Sequence, residues 1–79
     1  MIKLKIIYFG MIAEATGLQQ EELIFSENLL EMLDRALQKK YPQIATLNYQ
    51  FAVNKNIERE DFKLTDGDEI ALLPPFAGG

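Results

Sequence analysis

The sequence predicts a single two-layer α+β domain of 79 residues, built from a mixed sheet of four to five strands and one main helix. A short run rich in Ile and aromatic residues stands near the start of the chain, and a short run in which Ile70 and Leu72 alternate with other residues stands near its end. One central stretch repeats apolar residues at helical spacing, and turn signals separate it from the strands. Since no linker, repeat or low-complexity segment interrupts this order, residues 1–79 form one predicted domain.

The first third of the chain predicts two strands joined by a loop. Residues 2–9 form the first strand, with alternate residues directed to opposite faces of the sheet. Residues 10–17 form a loop with room for a short helical turn, and residues 18–25 form a second strand. Polar side chains along that strand indicate an edge position, because charge there discourages pairing with other sheets. We expect an antiparallel hairpin with these residues of the first strand in the core: Ile2, Leu4, Ile6 and Tyr8.

The central helix is the clearest element. Asn28 is the predicted N-cap, with Glu31 at the third helical position as in a capping box. Glu31 and Arg35 are four residues apart and form a favourable pair on the outer face. Pro42 ends the helix near Tyr41. The apolar stripe that packs on the sheet comprises Leu29, Leu33, Ala36 and Leu37.

The second half of the chain predicts three further strands. A short strand at 50–54 turns at 54–56 into a minor strand at 57–58. An Asp-Gly turn at 65–68 precedes the last strand, at 69–73. Apolar residues in the connecting segments are expected to anchor them to the core: Ile44, Leu47, Phe62 and Leu64.

Composition excludes several classes of function. The chain has no Cys and no His, which removes disulfides, thiol nucleophiles, imidazole catalysis and Cys or His metal ligands. Its carboxylates are scattered without a distinctive spacing, so surface charge is the simpler interpretation and no metal site is expected. A net charge of −4 without a basic cluster argues against nucleic acid and suits a basic protein partner. No apolar run is long enough for a membrane span and no signal-peptide pattern occurs, so a cytoplasmic location is expected.

The end of the sequence, residues 74–79, has the composition of a slender tail. Pro74 and Pro75 cannot donate to a sheet ladder, so the last strand must stop before them. Gly78 and Gly79 carry no Cβ and allow close approach from every side. The sequence therefore predicts a protruding tail whose tip is the carboxylate of Gly79; the alternative is an ordinary frayed terminus.

These residues resemble a known family. The run 64–79 resembles the C-terminus of the small, sulfur-carrying subunits of molybdopterin synthase, as do residues 1–3, 8–9 and 14–17 and the pair Val53-Asn54. The Leu-Pro-Pro-x-x-Gly-Gly ending favours this branch over thiamine-pathway sulfur carriers, which usually lack Pro-Pro. The resemblance implies the β-grasp fold of the ubiquitin-like superfamily.

The resemblance also implies a chemistry. Gly79 would be adenylated with ATP by a ubiquitin-activating-type adenylyltransferase and converted to a thiocarboxylate, a C-terminal 1-thioglycine. That sulfur would build the molybdopterin dithiolene in a heterotetramer with the large catalytic subunit, and this chain would bind no cofactor and have no active site of its own. A thiamine-pathway carrier, a ubiquitin-like protein modifier and a plain interaction module remain as alternatives.

By the same resemblance, the first and last strands lie side by side and parallel in the centre of the sheet. Ile7 and Phe9 would then meet Leu73 and Pro75 on the face away from the helix, forming a partner-docking patch at the root of the tail. The alternative is that the chain's own 10–17 loop covers them.

Two positions depart from the family pattern, which affects the expected contacts of the tail and the first loop. Family members often have Arg where this chain has Ala13, and Val where it has Phe76. Phe76, Ala77, Gly78 and Gly79 span at most about 13 Å when extended, enough to enter a partner's buried site while Pro74-Pro75 stays at its mouth.

Overall fold

The computed structural model describes residues 1–75 of the chain. It contains five strands, two α-helices and one 3₁₀ helix. In chain order these are β1 (Ile2–Tyr8), α1 (Gly10–Thr16), β2 (Gln20–Phe25), α2 (Leu30–Lys40), the 3₁₀ helix (Pro42–Thr46), β3 (Gln50–Val53), β4 (Asn56–Glu58) and β5 (Glu69–Leu73).

The strands form one mixed sheet in the order β2-β1-β5-β3-β4. β1 and β5 are adjacent and parallel, as the family resemblance implied, and the remaining neighbours are antiparallel. β2 lies at an edge and pairs antiparallel with β1, so both expectations for it are confirmed. The β3–β4 turn passes through Asn54 and Lys55 at positive φ, a conformation that two-residue hairpin turns require. This arrangement is the β-grasp fold, with five strands.

The hydrophobic core lies between one face of the sheet and α2. The predicted alternation of β1 is confirmed, since Leu4, Ile6 and Tyr8 are buried and Ile2 is partly buried against them. Full burial of such a side chain stabilises the fold by about 1.5–3 kcal/mol. The other buried core members are Ile12, Leu30, Leu33, Leu37, Ile44, Phe51, Val53, Leu64, Ile70 and Leu72.

The start of α2 differs from the prediction. Leu29, not Asn28, is the N-cap residue, and no side chain caps the helix. The first two amide N–H groups of α2 donate instead to the carbonyl oxygens of Phe62 and Glu60, each at 3.0 Å. The prediction of Asn28 as the N-cap is therefore wrong, because a tertiary contact with a distant loop supplies the acceptors that a cap would offer.

Two other expectations for α2 are confirmed. Arg35 donates to Glu31 at 2.9 Å on the outer face, and the helix ends at Tyr41, before Pro42.

The segment predicted as the 10–17 loop is mostly the helix α1. It begins at Gly10 with φ +56° and ends at Gly17, a left-handed C-cap whose N–H donates to the carbonyl oxygen of Ala13. Ile12 is 2% exposed in the core, and α1 packs against the 3₁₀ helix. No side chain caps the start of α1, so the sequence carries no clear signal that a helix begins there. Its stability comes from tertiary packing.

Candidate functional site: the tail root and the open face of the sheet

The root of the predicted tail leaves the centre of the sheet. β5 ends at Leu73, and Pro74 and Pro75 follow directly. The ring of Pro74 lies over Gly10, because a Cβ added to that glycine would be 3.7 Å from Pro74 Cγ. On the other side, Gln50 Nε2 donates to the carbonyl oxygen of Pro75 at 3.3 Å. The sheet therefore stops at the two prolines, as predicted, with contacts on both sides of the root.

Four predicted tail residues, Phe76, Ala77, Gly78 and Gly79, lie outside the described residues. Their assigned roles stay predictions.

Of the three predicted docking residues, Phe9 and Leu73 lie where β1 and β5 end beside the tail root, and Ile7 lies opposite Ala71, two residues before Leu73. Tyr8 pairs with Leu72 across β1 and β5, and both are buried on the helix side. Phe9 follows Tyr8 and Leu73 follows Leu72, so alternation directs both side chains to the opposite, open face of the sheet. Ile7 shares that face by the same alternation.

The open face leaves Phe9 accessible. Its side chain is 45% exposed, whereas Ile12 of α1 is buried in the core. The alternative that the 10–17 segment covers the predicted patch therefore fails for Phe9, while Ile7 and Leu73 are half-buried.

An apolar row that the sequence does not predict crosses the same face. Ile7 pairs with Ala71, Ala71 with Ala52, and Ala52 with Ile57. Ile57 is 56% exposed at the β4 edge. Because β4 has only three residues, its alternation could not be read from sequence, although an apolar residue after a turn was a usable signal. Ala52 itself is only 5% exposed. The name docking face is used below for the partly or fully exposed residues of this face, Ile7, Phe9, Ile57, Ala71 and Leu73.

On the helix side of the sheet, Glu21 has three donors. Tyr8 Oη donates to it at 2.5 Å, Tyr41 Oη at 2.6 Å and Lys40 Nζ at 2.8 Å. Burial alone would raise the pKa of Glu21, but the bonds from Lys40, Tyr41 and Tyr8 outweigh it and hold the pKa below its usual value. Burial, and then the Glu21 carboxylate, raise the pKa of Tyr8. With its oxygens occupied by donors, Glu21 ties β2 to the end of α2.

Asp68 is another carboxylate with several donors. It accepts the backbone N–H of Thr65 at 2.8 Å, the Thr65 hydroxyl at 3.1 Å and Asn54 Nδ2 at 2.9 Å. Burial would raise its pKa, yet these bonds hold the pKa below its usual value. Asp68 fixes the turn that feeds β5.

Within residues 1–75, no three carboxylates come together in a way that could hold a metal ion. No helix in that part of the chain is long and apolar enough to cross a membrane.

Comparison with known proteins identifies the family. The family model described as "ThiS family" matches residues 6–79, which includes both the docking face and the predicted tail. The chain belongs to the ThiS family.

Individual members sharpen this result. The molybdopterin synthase sulfur carrier subunit of Mycobacterium tuberculosis is 37% identical, with 100% of each chain covered. A solved complex of subunits 1 and 2 of molybdopterin-converting factor from Helicobacter pylori 26695 contains a chain that is 30% identical. Its TM-score is 0.68, with 99% of this chain and 100% of that chain covered. Small archaeal modifier protein 1 from Methanosarcina acetivorans is 25% identical with a TM-score of 0.82, covering 100% of this chain and 98% of that one. The resemblance to molybdopterin sulfur carriers is confirmed.

Proposed function

We propose that this chain is the sulfur carrier subunit of a molybdopterin synthase and that its sulfur is carried as a thiocarboxylate on Gly79. The observation that carries the proposal is its end-to-end similarity to the M. tuberculosis sulfur carrier subunit. The family match runs through Gly79, so the matched range includes the Gly-Gly end. In this role the chain is a cosubstrate, and the partner supplies the catalytic residues.

The first step activates an unreactive carboxylate. An oxygen of the Gly79 carboxylate attacks the α-phosphorus of ATP in a ubiquitin-activating-type adenylyltransferase, and pyrophosphate leaves. The terminal sulfur of a persulfide then attacks the acyl carbon and AMP leaves, which gives an acyl disulfide. A second thiol reduces that disulfide and frees the thiocarboxylate. Gly78 and Gly79 leave the reacting carbonyl unhindered by side chains throughout.

The second step takes place in the large subunit. The thiocarboxylate sulfur attacks a carbon of the bound pterin precursor and replaces an oxygen substituent there, which leaves as water. A second water then attacks the acyl carbon and breaks the acyl–sulfur bond, so the sulfur stays on the pterin and Gly79 returns as a carboxylate. This chain supplies reach and orientation: the docking face holds the domain against the partner, and residues 76–79 span at most about 13 Å beyond the tail root. Proline stiffness at the root lowers the entropy lost when the tail is inserted.

The partners follow from this chemistry. The large subunit and the adenylyltransferase both have to take the same tail, so we propose that each contacts the docking face in turn. A net charge of −4 favours basic partner surfaces, which increases the rate of encounter more than the affinity. We place these reactions in the cytoplasm.

A second candidate function is protein modification. The likeness to small archaeal modifier protein 1 favours it, because the same activated Gly79 can be attacked by a lysine amine instead of sulfur. The product is then an isopeptide bond to another protein. A ladder of conjugates that disappears when Gly79 is deleted supports this role, and a lone thiocarboxylated species supports the carrier.

Deletion of Gly79 tests the proposed function. We expect the rate of molybdopterin formation by a reconstituted synthase to fall at least about 100-fold with the shortened chain. The reason is that the acyl group that carries sulfur is displaced from its position in the partner's site. Intact mass after co-expression with the adenylyltransferase reports whether one oxygen is exchanged for sulfur. Thermal unfolding is the control, and its midpoint should not change. Normal molybdopterin formation by the shortened chain contradicts the proposal.

A further inference from the structure

The sheet ladder ends at the tail root in an unusual way. β3 and β5 are antiparallel, and their last pair joins Gln50 to Leu73. Pro74 and Pro75 have no N–H, so the backbone ladder cannot extend past Leu73. The Gln50 side chain reaches beyond the last pair, and its Nε2 donates to the Pro75 carbonyl oxygen at 3.3 Å. A side-chain amide thus replaces the ladder where the prolines interrupt it.

A second contact fixes the other side of the root. Gly10 opens α1 with φ +56°, a conformation that side chains other than glycine rarely adopt. The Pro74 ring lies against it, close enough that a Cβ on Gly10 would stand 3.7 Å from Pro74 Cγ. Pro74 is thereby bounded by α1, and Pro75 is bound from β3. Contacts from two different elements, made to two consecutive prolines of fixed φ, define a direction as well as a position.

We propose that Gln50 is a positioning residue, which sets the direction in which the tail leaves the domain and so how often the Gly79 thiocarboxylate meets the substrate in the partner's site. This inference rests on the proposed sulfur-carrier function. It does not follow from the docking face, because a docking residue strengthens the complex, whereas a positioning residue raises the rate within the complex already formed.

Two variants of Gln50 separate the hydrogen bond from the bulk of the side chain. Gln50→Met keeps an unbranched chain of similar length but has no donor, and Gln50→Lys keeps a donor at similar reach. Gln43→Met makes the same change at an exposed residue of the 3₁₀ helix and serves as the matched control.

The experiment is a single-turnover sulfur transfer. Each carrier is prepared chemically as its C-terminal thiocarboxylate, which bypasses the adenylyltransferase, and is mixed with the synthase large subunit of the same organism and its cyclic pterin precursor. The rate of dithiolene formation is measured over a range of carrier concentrations. The series yields a maximal rate and a half-saturating concentration for every variant, and thermal unfolding is recorded in parallel.

We expect Gln50→Met to lower the maximal rate about three- to tenfold, which is the range expected for the loss of one hydrogen bond that is partly exposed to water. Its half-saturating concentration should stay within about twofold of the unsubstituted chain. Gln50→Lys should return the maximal rate to within about twofold, and Gln43→Met should leave both quantities and the unfolding midpoint unchanged.

The opposite results are equally specific. A change in the half-saturating concentration alone makes Gln50 part of the docking surface and overturns the positioning role. Equal maximal rates for Gln50→Met and the unsubstituted chain also overturn it, while the sulfur-carrier function stands. If the unsubstituted thiocarboxylate transfers no sulfur, both the proposed function and this inference fail.

Discussion

The two faces of the sheet differ in how deeply their side chains are buried and in how many polar contacts those side chains make. On the helix side, Leu4 and Ile6 are fully buried and Tyr8 is 3% exposed. On the open side, the same strand continues to Phe9, which is 45% exposed. A single strand with a period of two thus supplies the core with one set of residues and the proposed docking face with the other. In a domain this small, one sheet face alone provides the stabilising core, so the other face is available for a partner.

Polar contacts follow the same division. On the helix side, Glu21 accepts from three donors, and Tyr49 donates to Asp34 at 2.5 Å beneath α2. On the open face, Lys5 and Glu69 approach to 4.0 Å with both side chains at least a third exposed, an ion pair of little energy. Substitutions on the helix side should therefore act on stability, and substitutions on the docking face should act on binding.

Adjacent residues of β5 give the largest contrast. Leu72 is fully buried and Leu73 half-buried on the other face. We expect Leu72→Ala to lower the free energy of unfolding by about 2–5 kcal/mol through lost burial and a residual cavity, and Leu73→Ala to lower it by less than about 1 kcal/mol. Urea unfolding of both variants measures this. Similar losses at the two positions would contradict the division between the faces.

Glu21→Gln tests the hydrogen bonds that link β2 to the end of α2 on the helix side of the sheet. Removing the charge weakens the bonds from Tyr8, Tyr41 and Lys40, so we expect a loss of about 1–2 kcal/mol at neutral pH. The pKa of Glu21 is lowered in the folded state, so its contribution is present above the usual pKa of 4.5 and is lost as pH falls through the lowered value. Chemical denaturation from pH 7 to pH 3 should show the difference between variant and unsubstituted chain shrinking below about pH 4.5. A difference independent of pH would remove the charge from the explanation.

Phe9→Lys tests the open face. A buried charge in place of an aromatic anchor should weaken binding to the large subunit at least about tenfold, with less than about 1 kcal/mol lost in stability. Ile24→Lys is the matched control, because Ile24 is 57% exposed and pairs with Lys3, away from the end of β1 that adjoins the tail root. Calorimetry that gives the same affinity for Phe9→Lys as for Ile24→Lys would show that exposure alone, rather than position on the docking face, decides the effect.

The sequence predicted best what depends on local periodicity. The bounds of β5 match at Glu69–Leu73, and the assignment of Leu4, Ile6 and Tyr8 to the core is confirmed, because alternation determines the face of every residue once one is known. The placement of β1 beside β5 came from family resemblance. Periodicity cannot show which strands pair, since pairing depends on contacts between residues far apart in the chain.

The sequence predicted least where tertiary contacts replace local signals. α1 has no capping side chain at its start and depends on Ile12 in the core, so the sequence predicts only a loop with room for a short helical turn, although Gly17 is a usable C-cap signal. The apolar row ending at Ile57 could not be predicted from the sequence, because the register of β4 is fixed by its pairing with β3. The roles of Gly78 and Gly79 came from composition and resemblance, and the experiments above are what test them.

The smallest predicted effect concerns Asn28, where local and tertiary signals disagree. A true N-cap residue costs about 1 kcal/mol when replaced by Ala. The Asn28 side chain makes no capping bond. The backbone carbonyl oxygen of Asn28 accepts from the backbone N–H of Leu64 at 2.6 Å, and Ala retains that carbonyl. We therefore expect Asn28→Ala to change the free energy of unfolding by less than about 0.5 kcal/mol. Urea unfolding of Asn28→Ala, measured together with Glu21→Gln, allows the two losses of unfolding free energy to be compared. A loss near 1 kcal/mol for Asn28→Ala would mean that the side chain caps α2 in solution. A value near zero would show that the backbone of residues 60–64, rather than the Asn28 side chain, holds the start of α2.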